Sequence, residues 1–518
     1  MKKSNITKNY MFNVTYQVLI IILPLITVPY VSRIFGADGL GIFSYTVAIS
    51  SYFIMLGSLG INLYAQKEIA YVHEQENMRT KIFYECIILK IITLSISLFI
   101  FYFTFVRLSE YGLYFKILCL EIIANMIDIS WFFQGMEEFK KTVSRYILLR
   151  FISLICIFIF VKEKEDLYIY FLIYVLSVVI GNLSLWFYLP KQLSEKINIK
   201  KINLIKHLKP ALILFIPQIA ININGVLDKT MIEAMSNNIA EVGYYDQAYK
   251  IIRLLYAMIT AMGTTMLPRI SNYFAKNETI KIKEYIAKSV NFVFFFGMPI
   301  MFGIITISDN LVPIFFGNGY EKVSILIKLL SPIIIFIGLS NVFGIQYLLP
   351  TKKQNFYTIS ITTGTIINFL LNLLLIPRFF SIGSEISTNF AELSVLLLQL
   401  YFIRNEFNIK NIILKFKNYL FASLLIFIVG YTLTFFIKNN LLCIIVQVIF
   451  GVIIYFSVLF ILKDKFFLFI INKIIYILKG IRKKLFKIPI EVDNSIVSNL
   501  ELKTHRRSKR FQTTKHNI

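Results

Sequence analysis

The chain has 518 residues, a net charge of +25, 57% hydrophobic residues and only 16% charged residues. A soluble protein of this size is about one quarter charged, so this composition excludes an ordinary soluble enzyme. The apolar residues fall into blocks of about 20, which matches the ~30 Å hydrocarbon layer of a bilayer. The blocks are rich in Ile, Leu and Phe and lack the alternation of a strand, so we predict an all-α polytopic membrane protein.

The hydropathy pattern predicts about 14 transmembrane helices. In chain order, the predicted spans are about 11–31, 40–64, 82–106, 112–133, 146–161, 167–189, 210–234, 249–268, 286–308, 323–349, 356–377, 384–403, 415–437 and 441–463. An even number of spans places both termini on one side. With that side inside, the inner segments hold about 26 basic residues against roughly 7 in the outer connections, so both termini are expected to be cytoplasmic.

A faint repeat divides these spans into two groups. The string LGIFSYTVAI at 40–49 resembles VGYYDQAYKI at 242–251, and six spans separate the two. Two parallel bundles are a common plan for transporters, so we expect two six-helix lobes around a central cavity plus two C-terminal helices. The expected segments are an N-terminal lobe at 1–190, a basic cytoplasmic linker at 191–209, a C-terminal lobe at 210–405, spans 13 and 14 at 406–463, and a basic cytoplasmic tail at 464–518.

The positive charge is explained by the membrane rather than by a nucleic acid. Most of it lies in the inner loops and the tail, where lysine and arginine attract anionic lipid headgroups. Lys465–Lys487 is predicted to lie in the interface as a basic amphipathic helix, and the residues after about 490 are predicted to be disordered. A tail that docks a partner protein is the alternative interpretation.

No enzyme motif is present. The sequence contains no P-loop, GxSxG or HExxH string, so neither an ATP-driven pump nor a hydrolase is indicated. The four cysteines lie in apolar blocks without CxxC spacing, so no metal site, disulfide framework or cofactor is expected. A polymerase or ligase is disfavoured, because no outer connection exceeds about 16 residues and such enzymes carry a large outer loop.

Ionisable residues inside the predicted spans are the strongest functional signal, because each costs about 2.5–3.5 kcal/mol at a helix centre unless it faces a partner or a cavity. The fourth span carries Glu121, Asn125 and Asp128 on one predicted helical face. Lys90 lies in the third span and Arg150 in the fifth. These residues form either an internal salt-bridge network or an ion-coupling site.

The seventh span is the most polar. Asn222 and Lys229 lie on one stripe of this span with Asp228 beside them, and Lys250 and Arg253 follow at the outer start of the eighth span. Such residues either bond neighbouring helices or face water. The number of polar groups on one face favours a water-filled cavity.

Two sets of site residues follow. The expected cavity residues are Lys90, Arg150, Lys229, Lys250, Arg253, Lys328, Asn222 and Asn368. The basic members of this set would attract an anion such as a phosphate or diphosphate. The candidates for binding a coupling ion, either a proton or sodium, are Glu121, Asp128 and Asp228.

Several strings together resemble the Wzx-type polysaccharide flippases of the multidrug/oligosaccharidyl-lipid/polysaccharide exporter superfamily. They are VPYVSRIFGADGLGIFSYTVAIS at 28–50, GINLYAQKEIA at 60–70, DISWFFQGMEEFKK at 128–141, LDKTMIEAMSNNIAEVGYYDQAYKI at 227–251 and MLPRIS at 266–271. The WFFQG string with its preceding aspartate is the most specific. The resemblance covers the first twelve spans and leaves the region after about 405 uncovered.

The resemblance implies a V-shaped cavity between the two lobes. It also implies a cargo, an oligosaccharide repeat unit on undecaprenyl diphosphate, that crosses the bacterial cytoplasmic membrane for capsule or O-antigen assembly. The implied partners are this cargo, membrane lipids, and the polysaccharide polymerase and assembly proteins. The alternatives are a cation-coupled drug or metabolite exporter of the same superfamily, a lipid II flippase, and a membrane scaffold that transports nothing.

Overall fold

A computed structural model describes residues 6–189, 192–193, 202–222 and 224–473 of the chain. The described residues form helices and connecting turns, with no strand among them. Helices α1 to α7 are Ile6–Ser58, Ile61–Tyr71, Glu76–Phe101, Gly112–Met126, Ser130–Gly135, Phe139–Phe160 and Leu167–Trp186. Helices α8 to α17 are Ile205–Asn222, Asn224–Ser236, Ile239–Ala275, Thr279–Phe316, Glu321–Leu330, Ile333–Ser340, Gln354–Phe379, Ser381–Ile403, Ile409–Phe436 and Asn440–Ile461.

The all-α membrane fold is confirmed. In the part of the chain that the structure describes, 11 helical segments are long and apolar enough to cross a membrane. One of them, α1, is counted once but is broken at Gly36, whose φ of 66° lies in the left-handed region that glycine tolerates. The predicted fourth and seventh spans are pairs of shorter helices, α4 with α5 and α8 with α9. Together these elements account for the predicted spans.

The fourth span is interrupted where an unbroken helix was predicted. Helix α4 ends at Met126 and α5 begins at Ser130, so Asp128 lies in a turn rather than on the helical face of Glu121. The Asp128 carboxylate explains the interruption, because it accepts hydrogen bonds from the Ser130 backbone N–H and the Ser130 hydroxyl, both at 3.0 Å. A side-chain acceptor of this kind satisfies free N–H groups at the start of a helix.

The WFFQG string is part of the core. Trp131, Phe132 and Phe133 of α5 are buried among side chains of α2 and α3. The Trp131 ring stacks on Phe83, with centroids 5.6 Å apart. Gly135 allows α5 to approach α2, because a Cβ at this position would lie 2.7 Å from the Gln66 carbonyl oxygen. The most specific string of the sequence therefore positions helices rather than lining a cavity.

About half of the predicted linker lies outside the described residues, and side-chain contacts hold its C-terminal end. The buried carboxylate of Glu85 on α3 accepts from the Asn203 backbone N–H at 2.8 Å and lies 2.9 Å from the His207 ring Nε2. The other ring nitrogen of His207 lies 2.8 Å from the Tyr64 hydroxyl of α2. The start of α8 is therefore attached to helices of the N-terminal half.

The two strings of the repeat pack against each other where α1 crosses α10. Gly41 lies so close to α10 that a Cβ there would overlap the Ile239 carbonyl oxygen. Gly243 lies equally close to α1, and its Cβ would overlap the Ala37 carbonyl oxygen. Small residues allow this close approach of helices in membranes.

Further contacts lie on the same side of the molecule. The Ser32 hydroxyl of α1 donates to the Phe316 carbonyl at 3.1 Å, and the Tyr320 hydroxyl donates to the Ser32 carbonyl at 3.2 Å. Arg33 donates to the Ile314 carbonyl at 2.6 Å. We call this region, formed by residues 32–44, 239–246 and 314–320, the closed end.

Residues up to Val458 form one compact unit. The boundaries predicted for the two lobes inside this unit stay predictions. A second unit begins at Leu459, and its described part contains a helix at 465–473. The Asp464 carboxylate accepts from the Phe466 and Phe467 backbone N–H groups and caps that helix. The rest of the predicted interfacial helix and the tail lie outside the described residues.

Candidate functional site: a cationic cavity

A cavity of about 760 Å³ lies beside the closed end, between helices of the N-terminal half and helices α9 and α10. It extends along α1 and α10 away from the glycine crossing. Its walls are Ser51, Tyr52, Ile54, Met55, Ser58, Gly60, Asn62, Asn125, Gly225, Val226, Lys229, Asp246, Tyr249, Lys250, Arg253 and Tyr256. The size is within the range of binding sites for small organic molecules.

The cavity is positively charged. Its walls hold three cationic side chains, Lys229, Lys250 and Arg253, against the single carboxylate of Asp246. An excess of two positive charges in a low-dielectric cavity attracts anions. The structure therefore brings together three of the six basic residues that the sequence predicted for a cavity.

Helix α10 supplies two of the three cationic side chains and the carboxylate. Asp246, Lys250 and Arg253 follow at intervals of four and three residues, and this spacing places them on one face of the helix. Lys229 reaches the same face from α9, with its ammonium 2.5 Å from Asp246 Oδ1. The Lys250 ammonium lies 2.5 Å from Asp246 Oδ2.

Arg253 differs from the two lysines. Its side chain is exposed to the cavity. The ion pairs of the described residues include Lys229 and Lys250 but not Arg253. A guanidinium without a carboxylate partner retains its planar set of donors for an incoming anion.

The remaining walls carry hydroxyl, amide and aromatic groups. Tyr249 and Tyr256 face the cavity one above the other, with their hydroxyl oxygens 3.3 Å apart. Tyr52, Asn62 and Asn125 add further polar groups. Rings beside hydrogen-bonding groups are the chemistry that holds a ligand with one apolar face and several hydroxyls.

Four predicted site residues do not line the cavity: Lys90, Asp128, Lys328 and Arg150. Each contacts another side chain instead. Lys90 is fully buried, donates to the Asp128 carbonyl at 3.0 Å and lies 3.7 Å from the Asp128 carboxylate. Lys328 pairs with Asp309 at 2.6 Å. Arg150 donates to the Tyr146 hydroxyl at 3.1 Å on its own helix.

The other predicted carboxylate of the fourth span, Glu121, is buried and accepts from the Ser50 hydroxyl at 3.0 Å and the Tyr174 hydroxyl at 2.8 Å. Its neighbour Asn125 lines the cavity. The Asn222 side chain lies outside the described residues, although its backbone ends α8.

Asp228 is the centre of a separate buried cluster of neutral donors. Its carboxylate accepts from the Tyr245 hydroxyl at 2.6 Å, the Asn372 amide at 2.6 Å and the Thr388 hydroxyl at 3.1 Å. The Asn372 amide also lies 3.2 Å from the Asn368 amide oxygen. The cluster joins α9, α10, α14 and α15 without a basic side chain among these contacts.

The cluster fits a small cation better than a transition metal. Asn372 Oδ1 is buried without a hydrogen-bond partner among the described residues. Carboxylate, amide and hydroxyl oxygens are the ligands that hard cations prefer. The described residues contain no group of three or more His, Cys, Asp or Glu that could hold a metal ion.

Asp246 pairs with two of the cavity lysines but is not among the site residues predicted from the sequence. It stands in the second string of the repeat, at the position equivalent to Ser44 in the first. The sequence did contain a signal for this residue, because the second string has a carboxylate where the first string has a serine. The tyrosines at 249 and 256 gave no comparable signal, because a tyrosine in a membrane helix is ordinary.

The chain is similar to known proteins in sequence and in fold. Residues 6–274 match the family model described as "Polysaccharide biosynthesis protein". The putative O-antigen transporter of Escherichia coli (strain K12) is 29% identical over 411 residues, which cover 78% of this chain and 98% of that protein.

Two solved structures share the fold. The lipid II flippase MurJ in an inward closed conformation aligns with a TM-score of 0.72 at 18% identity, over 88% of this chain and 99% of that one. An inward-facing multidrug resistance MATE family transporter of the MOP superfamily aligns with a TM-score of 0.57 at 11% identity, over 77% of this chain and 99% of that one.

Proposed function

Because the chain belongs to the polysaccharide biosynthesis protein family, we propose that it moves oligosaccharide repeat units on undecaprenyl diphosphate from the cytoplasmic to the outer leaflet. The resemblance to Wzx-type flippases is confirmed by the family match and by the similarity to the putative O-antigen transporter. The expectation of a multi-pass membrane transporter rather than an enzyme is confirmed as well. The precise cargo, the transport cycle and the orientation of the termini belong to the proposal.

The cationic cavity is the observation that carries the proposal. A diphosphate leaving water needs charged hydrogen-bond donors, and Lys229, Lys250 and Arg253 supply them in the walls of this cavity. The rings of Tyr249 and Tyr256 suit the apolar faces of sugar rings. The polyprenyl chain remains in the lipid.

The closed end suggests how the cycle runs. The contacts between α1, α10 and the end of α11 lie beside one end of the cavity, and we infer that they close it on that side. In the predicted topology this side is the outer one. We infer a cycle of alternating access, in which the repeat unit enters from the cytoplasmic leaflet and leaves when the closed end opens.

The Asp228 cluster is the proposed site of the coupling ion. The Asp228 carboxylate and the unpartnered amide oxygen of Asn372 suit sodium, while a proton would bind the carboxylate alone. Occupation of this site would change the contacts among α9, α14 and α15. The Glu121 carboxylate, held by two hydroxyls, is the second candidate for a proton.

The drug exporter is the weaker alternative. Many exported drugs are cations, and a cavity with an excess of two positive charges repels them. The charge excess does not separate the proposed cargo from lipid II, because lipid II is also a lipid diphosphate. Transport assays with the two cargoes distinguish these functions.

Reconstitution tests the proposal. Full-length protein would be placed in phosphatidylcholine liposomes that contain a fluorescent oligosaccharide on undecaprenyl diphosphate. An impermeant reductant should bleach only the outer half of the label without protein and nearly all of it with protein. The same sugar on a neutral polyprenyl carrier is the control and should stay half protected. Equal protection of the diphosphate cargo with and without protein contradicts the proposal.

A further inference from the structure

Asp246 connects the cationic cavity to the closed end. Its side chain is only 3% exposed, and each carboxylate oxygen has a cationic partner. Oδ1 pairs with Lys229, while Oδ2 pairs with Lys250 and accepts from the Ser44 hydroxyl at 2.6 Å. The same carboxylate therefore neutralises two cavity lysines and bonds α1 to α10.

The position of this bond is set by the repeat. Ser44 and Asp246 are 202 residues apart and occupy equivalent places in the two strings. Each lies three residues after a glycine of the crossing, Gly41 or Gly243. Equivalent residues that contact each other lie beside a local two-fold axis that relates the two strings. The Ser44–Asp246 bond therefore breaks when α1 and α10 separate.

We propose that Asp246 is a built-in substitute for the cargo's diphosphate, and that an anion binding to Lys229 and Lys250 releases the Ser44–Asp246 bond and opens the closed end. The proposal rests on the proposed function and specifies how cargo regulates the same cavity. It makes Asp246 a positioning residue that acts through the two lysines.

The energetics favour such an exchange. A diphosphate offers more acceptor oxygens and more negative charge than one carboxylate, so it competes for both ammonium groups. Asp246 then lacks its two cations, and a buried carboxylate without cations is unfavourable. Separation of α1 from α10 admits water to Asp246 and removes that penalty.

A ligand can drive a conformational change only if it binds one state more tightly than the other. The exchange at Asp246 gives the cargo this difference in affinity. In the closed state the cargo competes with Asp246 for the lysines, whereas in the open state the hydrated carboxylate competes less. The cargo therefore binds the open state more tightly. Without cargo, the same carboxylate holds the outer side closed.

The experiment measures anion affinity and helix separation on one sample. Full-length protein without its native cysteines would be placed in phosphatidylcholine nanodiscs, which contain no anionic headgroup. Spin labels at Glu110→Cys and Asn318→Cys, both exposed positions, report the distance between the two halves at the closed end. The probes are inorganic diphosphate and geranyl diphosphate, and nanodiscs with phosphatidylglycerol test whether a lipid headgroup has the same effect.

In the wild type, diphosphate should lengthen the label distance. Asp246→Asn should bind diphosphate more tightly by roughly 5- to 150-fold, the usual range of coupling between sites, and its distance should no longer respond to the probe. Ser44→Ala keeps the three cavity cations and should shift the probe-free distances toward the open state. Asp309→Asn, which removes another paired aspartate outside the cavity, should behave like the wild type.

The outcomes separate the two claims. Equal diphosphate affinity in the wild type and Asp246→Asn, or binding that leaves the label distance unchanged, overturns the exchange and leaves the cationic site intact. Absence of diphosphate binding in the wild type contradicts the proposed function and this inference together. A response to phosphatidylglycerol alone identifies a lipid headgroup as the ligand and contradicts the assignment to cargo. Ser44→Ala preserves the test if Asp246→Asn does not fold.

Discussion

Gly41 and Gly243 occupy equivalent positions in the two halves of the chain, and each packs against the backbone of the other's helix. Neither position accommodates a Cβ without movement of α1 or α10. The close crossing of the two helices thus requires that both residues lack a side chain. Since this crossing closes one side of the cationic cavity in the proposed cycle, we expect the packing of the two glycines to control access for the cargo.

Gly41→Ala should destabilise the closed state. The new methyl group overlaps the Ile239 carbonyl oxygen, and overpacking of this kind costs about 1–3 kcal/mol. Thermal unfolding of purified protein in detergent should show a lower midpoint. Gly303→Ala is the matched control, because nothing lies within 4 Å of a Cβ there and its midpoint should not fall. Equal behaviour of the two variants would refute the role of the crossing.

Neutralising Arg253 should greatly reduce transport. Loss of a charged hydrogen-bond donor costs about 1.5–3 kcal/mol, so Arg253→Gln should lower the transport rate by roughly tenfold or more. Liposome assays measure the rate, and immunoblots of membranes measure the amount of protein. Arg404→Gln removes an equal charge beside Tyr401, away from the cavity, and should transport normally. Normal transport by Arg253→Gln removes this residue from the site.

Sodium should stabilise the protein through Asp228. A ligand that binds only the folded state at ten times its Kd adds about 1.4 kcal/mol, so replacing choline chloride by sodium chloride should raise the unfolding midpoint. Asp228→Asn keeps the shape of the cluster but loses its charge, and the sodium effect should disappear. A sodium effect that persists in this variant places the ion elsewhere. A response to pH without a response to sodium assigns the site to a proton.

Lys90 and Asp128 should behave as a structural pair. Removing one partner of a buried pair costs about 3–5 kcal/mol, because it leaves an uncompensated charge. Lys90→Met should therefore lower stability strongly, and adding Asp128→Asn should recover part of the loss. A double-mutant cycle on thermal stability measures this coupling. Additive effects would show that the two side chains act independently.

The number and type of spans could be predicted from the sequence, because the length and apolarity of each block follow from the thickness of the bilayer. The interruptions were harder to predict. The break between α4 and α5 depends on one capping carboxylate, Asp128, which reads in the sequence like any other charge in a span. Hydropathy is averaged over a window of about 19 residues, so it conceals a short turn inside an apolar block.

The cavity residues could be predicted only in part. Lys229, Lys250 and Arg253 meet because α9 and α10 face each other, and the polar stripe indicated this face. Lys90 and Lys328 gave the same signal, yet each is held by a carboxylate from another part of the chain, Asp128 and Asp309 respectively. Charge and helical spacing show that an ionisable residue needs a partner, but only the packing of helices decides whether that partner is protein or cargo.

The most direct measurement of the central claim is the analysis of lipid-linked oligosaccharides in a strain that lacks this gene, with conditional depletion if the loss is toxic. Mass spectrometry identifies the extracted species, and an impermeant glycosidase reports the leaflet in which they reside. The proposed function predicts that complete repeat units on undecaprenyl diphosphate accumulate in the cytoplasmic leaflet, protected from the enzyme. Unchanged lipid-linked pools together with normal surface polymer would contradict it.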